Sequence, residues 1–230
     1  MGSSNVITGI SSMATRQVLA ELAASYERSS GIKLAIESVG GVDAARRVAA
    51  GEVFDVVMLA SDAIDKLIAV GHLAPGRVDL VRSPVAIAVP AGAAQPAIGS
   101  EDAVKQAVLA ARSLSYSTGP SGTHLVKLFE RWGIADVIKD KLVQAPPGVP
   151  VGTLLARGDV ALGFQQLSEL MHLDGIQVLG LLPPPIEFIT TFSAGIGVHG
   201  RQPDAVRTML AHLTSPEAAA AKRRHGMEPA

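Results

Sequence analysis

Two segments of this chain place small hydroxyl side chains beside glycine, where a buried strand turns into a helix. The first segment is Val6–Ser12, and the second runs over residues 113–124 and contains Ser117, Ser121 and Gly122. Such loops combine hydroxyl groups, free backbone N–H groups and the positive end of a helix dipole, which together suit an anion. The spacing therefore predicts that the chain holds a small anionic solute.

The candidate ligand-binding residues follow from these loops and from a glycine pair after the second predicted strand. They are Ser11, Ser12, Gly40, Gly41, Ser117, Ser121, Gly122 and Thr123. The serines also suit helix N-caps, and the glycine pair also suits a simple turn. We favour ligand contact because capping needs only one serine of a pair, and because glycine and proline beside Ser121 indicate close backbone approach.

Amide and imidazole side chains form a second group of candidates. Gln165 and Gln166 end a predicted strand, and uncharged amides rarely end a buried strand without a bonding partner, so we expect one of them to face the ligand. His124 follows the second loop closely enough to reach a bound carboxylate and act as a general base. It also fits an exposed histidine in the first turn of a helix.

Composition and charge exclude several classes of protein. The chain has 230 residues, 48% of them hydrophobic, so it can bury a substantial core. Twenty basic and twenty-one acidic residues nearly cancel, and aromatic residues make up only 3%, which argues against a nucleic-acid-binding protein. The one basic run, residues 222–224, is typical of a solvated last helical turn.

No motif for a metal, a cofactor or a hydrolytic nucleophile is present in the sequence. Cysteine is absent, and the six histidines are scattered without a metal-binding spacing. Walker and dinucleotide-binding glycine motifs are absent, as is a nucleophile elbow around Ser11. We therefore predict no metal, no cofactor, and no hydrolase or nucleotide-dependent activity.

The N-terminus leaves two cellular compartments open. The first strand starts almost at once, without room for a secretory leader, and Met1–Ser4 suits a cloning scar. We expect a periplasmic protein if a leader was trimmed and a cytoplasmic protein otherwise. No apolar stretch is long enough to span a bilayer, so membrane insertion is not expected.

Apolar β-branched runs alternate with segments of helical period, which predicts an α/β class with mainly parallel sheets. Residues 53–59, 85–89 and 160–164 are predicted strands. Ser61 is a predicted helix N-cap, and Gly133 is predicted to end a helix with a stripe at Leu125, Leu128, Phe129 and Trp132. Ligands in such sheets lie beyond the carboxyl ends of strands, where both hydroxyl loops fall.

The chain resembles periplasmic molybdate-binding proteins of the type II solute-binding superfamily. The matching segments are residues 6–12, 44–51, 54–57, 60–62, 116–124 and 161–166. The resemblance implies two α/β lobes joined by two crossover strands, with lobe 1 at 1–83 plus 193–230 and lobe 2 at 84–192. It also implies an oxyanion held between the lobes by hydroxyl and N–H groups.

On that resemblance, Ser11 corresponds to the serine of the first loop, Ser121 to an N–H donor, and Val149 lies near another N–H donor. Gln166 stands where molybdate binders usually carry tyrosine, and Gly40–Asp43 replaces an expected serine cluster. Because an unpartnered buried donor costs about 1–3 kcal/mol, this altered set of donors should disfavour molybdate. We expect a different anion.

Residues 163–170, 192–195 and 116–117 are similar to an offshoot of this superfamily that includes aconitate isomerases. Three functions therefore stay open. The first is an anion-binding protein that serves an ABC permease if it is exported. The second is an isomerase of a small tricarboxylic acid, with His124 or Glu37 as its base. The third is an intracellular anion-sensing module without catalysis.

Overall fold

The computed structural model describes residues 6–230, so the Met1–Ser4 segment lies outside the described residues. The strands are β1 (Val6–Ser12), β2 (Lys33–Val39), β3 (Val56–Ala60), β4 (Val78–Pro90), β5 (Leu114–Tyr116), β6 (Leu142–Gln144), β7 (Leu162–Gln166), β8 (Ile176–Leu181), β9 (Ile189–Ile196) and β10 (Glu228–Pro229). The helices are α1 (Arg16–Ser30), α2 (Gly41–Ala49), α3 (Ser61–Ala69), α4 (Glu101–Ala110), α5 (Pro120–Arg131), α6 (Ala135–Ile138), α7 (Val151–Ala156), α8 (Leu167–Leu170), α9 (Pro203–Leu213) and α10 (Ala219–Arg224). Strands and helices alternate over most of the chain, so the predicted α/β class is confirmed.

The chain divides into two compact units. Unit 1 comprises Met1–Arg82 and Thr191–Ala230, and unit 2 comprises Ser83–Thr190. Strands β4 and β9 each continue from one unit into the other along the chain. Each unit has its own hydrophobic clusters, because its helices bury apolar stripes against its own sheet.

In unit 1, β1 lies between β2 and β3 and is parallel to both, while β9 is antiparallel to β3. Helix α1 buries the stripe Val18, Leu19, Leu22 and Tyr26 on this sheet. Because β1, β2 and β3 run in one direction, their carboxyl ends meet at one edge of the sheet. This edge carries Ser11, Ser38 and Ala60.

In unit 2, β5 lies between β6 and β7 and is parallel to both, while β4 is antiparallel to β7 and β8. Helix α5 buries Leu125, Leu128 and Phe129, and Gly133 adopts a φ of 67° after its last turn, as the sequence predicts. The carboxyl ends of β5 and β7 therefore lie side by side, and they lead into the loop over residues 117–119 before α5 and into α8.

Two local predictions from the sequence are wrong. Ser61 is the first residue of α3 rather than its N-cap, which is Ala60, and its hydroxyl donates to Thr191 O at 2.9 Å. Lys222 is not solvated: only 2% of it is exposed, and its Nζ donates to Leu80 O at 2.8 Å. Burial lowers the pKa of Lys222.

None of the helices within residues 6–230 combines the length and apolar character that a membrane span requires.

Candidate functional site

The first candidate site is the corner of unit 1 where β1 and β2 end. Ser11 pairs with Ser38 in the parallel register, and their Oγ atoms lie 2.8 Å apart. Ser12 Oγ accepts a hydrogen bond from Ala14 N at 3.4 Å, so Ser12 also caps the helical turn before α1. Because Ser11 and Ser12 are buried and Ser38 is partly exposed, a solute would reach the hydroxyl of Ser38 first.

The glycine pair of this corner begins α2. Gly40 is the N-cap, and no side chain caps the helix there. A Cβ added to Gly41 would lie 3.5 Å from Ser12 Oγ, so the first turn of α2 lies beside the serines. The N–H groups of an uncapped first turn have no acceptor within the helix, and they are donors for an anion at this edge.

A hydroxyl network lies at the end of β3 in the same unit. Ser61 Oγ is 2.8 Å from Ser193 Oγ, and Ser193 Oγ donates to Asp79 Oδ1 at 2.6 Å. Asp79 also accepts from Arg77 Nε at 2.9 Å. The network links α3, β9 and β4, and no sequence pattern indicated it, because its members lie far apart along the chain.

The second candidate site is the corner of unit 2 between β5 and α5. Ser117 Oγ lies 3.0 Å from Ser121 Oγ, and Gly119 is the N-cap of α5 without a side-chain cap. Pro120 opens the helix and has no N–H, so the free donors of this turn are the N–H groups of Ser121 and Gly122. Ser121 is buried and Ser117 is partly exposed.

Residue 122 must be glycine, because the backbone of Ser117 approaches it too closely for a side chain to fit. A Cβ at residue 122 would lie 1.8 Å from Ser117 O and 3.0 Å from Tyr116 Cδ2. The loop therefore folds tightly over the first turn of α5, as the glycine and proline of this segment indicate. Thr123 is exposed, and its N–H is already donated to Gly119 O at 3.2 Å.

Gln166 is buried and bonded within unit 2. Its carboxamide lies 2.7 Å from Thr190 Oγ1. With its oxygen turned to that hydroxyl, its nitrogen donates to Ser83 O at 2.9 Å, so every polar atom of the amide has a partner. The Gln166 side chain thus connects the end of β7 to residues of β4 and β9.

Gln165 bonds to a carboxylate that the sequence reasoning missed. Its Nε2 donates to Glu169 Oε1 at 2.8 Å, and its Oε1 accepts from Gly152 N at 3.4 Å. Burial raises the pKa of Glu169 to about 7. The four-residue spacing from Gln165 could have indicated this pair, although only α8 brings the two side chains together.

The two predicted bases have different surroundings. The exposed Glu37 carboxylate accepts from Arg47 at 2.7 and 2.9 Å, and these hydrogen bonds lower its pKa. His124 stacks on Phe188 with ring centroids 4.2 Å apart, and its Nε2 is buried without a hydrogen-bond partner. Burial lowers the pKa of His124, so its imidazole is neutral at pH 7.

The N–H of Val149 donates to Pro146 O at 3.0 Å and closes a turn before α7. The expectation that Val149 lies near an N–H donor to the ligand stays a prediction. Within residues 6–230, no group of three or more acidic or histidine side chains is arranged to hold a metal ion.

The fold is that of a solute-binding protein. A family model described as bacterial extracellular solute-binding protein matches residues 7–228, and the chain belongs to this family. It is 38% identical over 230 residues to an aconitate isomerase from a Pseudomonas species, an alignment that covers 97% of this chain and 87% of the relative.

Two solved structures have the same fold. The periplasmic molybdate-binding protein of Azotobacter vinelandii has a TM-score of 0.79 at 18% identity, with 96% of this chain and 98% of that chain covered. The sulfate-binding protein SubI of Mycobacterium tuberculosis H37Rv has a TM-score of 0.79 at 14% identity, with 97% and 86% covered. The resemblance to molybdate-binding proteins and to aconitate isomerase that the sequence indicated is confirmed.

Proposed function

We propose that this protein binds a small anionic solute, an oxyanion or a small organic acid, through neutral donors. The observation that carries the proposal is the pairing of an uncapped helix start with two adjacent serines in each unit. These are Ser11 and Ser38 beside α2, and Ser117 and Ser121 at α5. Hydroxyl and N–H groups at a helix start bind anions without a cation or a metal.

A thermal-shift screen tests this proposal with molybdate, sulfate, phosphate, citrate and both aconitates. An anion present at one hundred times its Kd adds about 2.7 kcal/mol to the free energy of unfolding. We expect an organic acid to give the largest shift, because Gly40–Asp43 and Gln166 alter the donors expected for molybdate. A largest shift with molybdate would contradict that choice of ligand, and no shift with any anion would contradict the proposal.

Serine variants identify the donors. Ser38→Ala and Ser117→Ala each remove one accessible hydroxyl, and each should weaken the affinity for the anion by about tenfold, the equivalent of roughly 1.4 kcal/mol. Ser29→Ala is the matched control, because its hydroxyl only donates to Tyr26 O at the end of α1. Isothermal titration measures the affinity of each variant.

The family supports a location outside the cytoplasm and delivery of the solute to an ABC permease. We propose a periplasmic location on this basis. Fractionation of cells that express the native gene tests it, and recovery of the protein only in the cytoplasm would contradict it.

The similarity to aconitate isomerase favours a second candidate function, the isomerisation of a small tricarboxylic acid. The identity of 38% extends over 97% of the chain. In such a reaction a base removes a proton from carbon, and N–H donors stabilise the negative charge that develops on the adjacent carboxylate. Incubation with aconitate in D₂O tests it, since catalysis exchanges the vinyl and methylene protons seen by NMR.

A further inference from the structure

Glu169 carries a carboxyl group that does not belong to the proposed donors for the solute. It lies in α8, directly after the carboxyl end of β7, and it is half-buried. Its Oε1 accepts from Gln165 Nε2 at 2.8 Å. Its Oε2 accepts no hydrogen bond within residues 6–230. One oxygen of this half-buried carboxyl group is thus held in place, and the other has no hydrogen-bond partner among the described residues.

Within residues 6–230, the pKa of Glu169 is shifted by burial and by the Gln165 hydrogen bond, and no charged group contributes. Helix α8 packs chiefly against α7, β7 and β8, and these three elements carry no titratable side chain. His172 and Asp174, in the loop after α8, are exposed. Burial raises the pKa of Glu169 to about 7, while the Gln165 hydrogen bond acts in the opposite direction. A carboxyl group of this kind accepts and releases protons readily at neutral pH.

The position of Glu169 relates it to the anion corner of unit 2. Strands β5 and β7 are parallel, with Ser115 opposite Gly163 and Tyr116 opposite Phe164. Gln165 directly follows Phe164 in β7, and Ser117, whose hydroxyl lies 3.0 Å from that of Ser121, directly follows Tyr116 at the end of β5. Glu169 and the Ser117–Ser121 hydroxyl pair therefore both lie on segments that follow the adjacent carboxyl ends of β7 and β5.

The other two candidate bases suit proton transfer from carbon less well. The Glu37 carboxylate is exposed and held by Arg47, which keeps it ionised and weakly basic. The ring of His124 is stacked on Phe188, and its lowered pKa makes it a weak base. Glu169 has neither a cationic partner nor a stacked ring.

We propose that Glu169 is the group that accepts and returns the proton in the isomerisation, with Gln165 orienting its carboxylate. The inference rests on the second candidate function. The carboxylate removes a proton from the methylene carbon of the tricarboxylate, and the electron pair of that C–H bond shifts the double bond along the three-carbon system. The resulting carboxylic acid returns the proton to the opposite end, so atoms and charge balance without a co-reactant.

The test compares wild type, Glu169→Gln and the control Glu130→Gln, which alters an exposed glutamate of α5. With aconitate in D₂O, Glu169→Gln should slow both isomerisation and proton exchange at least about 100-fold, while the Kd for aconitate changes less than about threefold. Glu130→Gln should match wild type. The Gln165→Met variant should move the apparent pKa of the pH–rate profile upward, which a purely structural role would not do.

The possible results distinguish a failure of the proposed role of Glu169 from a failure of the isomerase function on which it rests. Exchange by wild type and by Glu169→Gln at equal rates would overturn the role of Glu169 and leave the isomerase function standing. Loss of aconitate binding in Glu169→Gln would also overturn it, because the residue would then serve binding. If wild type neither isomerises aconitate nor exchanges its protons above the buffer rate, the isomerase function is rejected, and the inference with it. If Glu169→Gln fails to fold, an unchanged pH–rate profile in Gln165→Met would overturn the inference.

Discussion

At the scale of single residues, the hydroxyl corners depend on backbone proximity as much as on side-chain chemistry. Gly122 illustrates this, because its Cα lies against the Ser117 carbonyl in a space that no side chain could share. The hydrogen bond between the Ser117 and Ser121 hydroxyls depends on the same close approach. The residue type at 122 is thus set by the shape of the loop.

We expect Gly122→Ala to lower the free energy of unfolding by about 1–3 kcal/mol or more and to weaken anion binding, because the added Cβ would overlap Ser117 O. Chemical denaturation and isothermal titration measure the two effects. Gly119→Ala is the control, since a Cβ there meets nothing closer than Ser117 Oγ at 3.8 Å. Equal stability of both variants would contradict the close approach.

The raised pKa of Glu169 predicts a dependence of stability on pH. The folded state holds this proton up to about pH 7, whereas the unfolded chain releases it near its ordinary pKa of 4.5. The contribution of Glu169 to stability is therefore greatest below pH 4.5 and is lost as the pH rises to about 7. Between pH 5 and 8, the free energy of unfolding of Glu169→Gln should rise by about 2 kcal/mol relative to that of wild type. This value is smaller than the full pKa shift implies, because solvent screens a partly exposed carboxyl group.

Urea denaturation of wild type and Glu169→Gln at several pH values measures this difference. Glu130→Gln is the matched control for the loss of an exposed carboxylate. A difference between wild type and Glu169→Gln that is independent of pH would show that the carboxyl group titrates normally.

At the scale of elements, the polar residues at strand ends connect strands that are distant along the chain. Gln166 at the end of β7 bonds to Thr190 at the start of β9, and its amide also reaches Ser83 O in β4. Lys222 of α10 is similar, since its ammonium group lies buried against Leu80 O of β4. Both residues would be read as surface or ligand-facing groups from sequence alone.

A double-mutant cycle tests the role of Gln166 within unit 2. Gln166→Met and Thr190→Val should each cost about 1–3 kcal/mol, because each leaves a buried polar atom unpaired. Their coupling energy should be about 0.5–2 kcal/mol, since both remove one hydrogen bond. If instead Gln166→Met abolished anion binding and left stability unchanged, Gln166 would be a ligand contact. Its place at the position where molybdate-binding proteins usually carry tyrosine implies such a contact.

At the scale of the whole molecule, the proposed binding relies on neutral donors in a chain of almost balanced charge. The formal net charge is −1, and the residues of the two hydroxyl corners include no lysine or arginine. Long-range attraction between the protein and an anion is therefore weak. Selectivity should depend on the shape of the donor set instead.

We expect the affinity for the bound anion to change less than about threefold between roughly 0.05 and 0.5 M sodium perchlorate, because neutral donors release few counterions. Isothermal titration across this range measures it. A decrease of tenfold or more would indicate that cationic side chains contact the anion. Sodium chloride at matched ionic strength controls for competition by the perchlorate ion.

The α/β class, the helical stripe of α5 and its end at Gly133, and the two hydroxyl segments were all readable from the sequence. Each depends on residues close together in the chain, where periodicity and the turn preferences of serine and glycine act directly. The strand over residues 85–89 was predicted in the right place, although β4 extends from Val78 to Pro90. The full length of β4 depends on its pairing with β7, β8 and β10, which are distant along the chain.

The amino-acid sequence by itself determined where anion donors could occur and which classes of protein the composition excludes. The tertiary structure alone decided their partners: Ser38 beside Ser11, Ser61 beside Ser193 132 positions away, and Gln166 beside Thr190. It also decided that Lys222 is buried and that Glu169 lies among elements without charge. The reason is physical, because strand register and helix packing set the surroundings of a polar group, and these depend on contacts between distant segments.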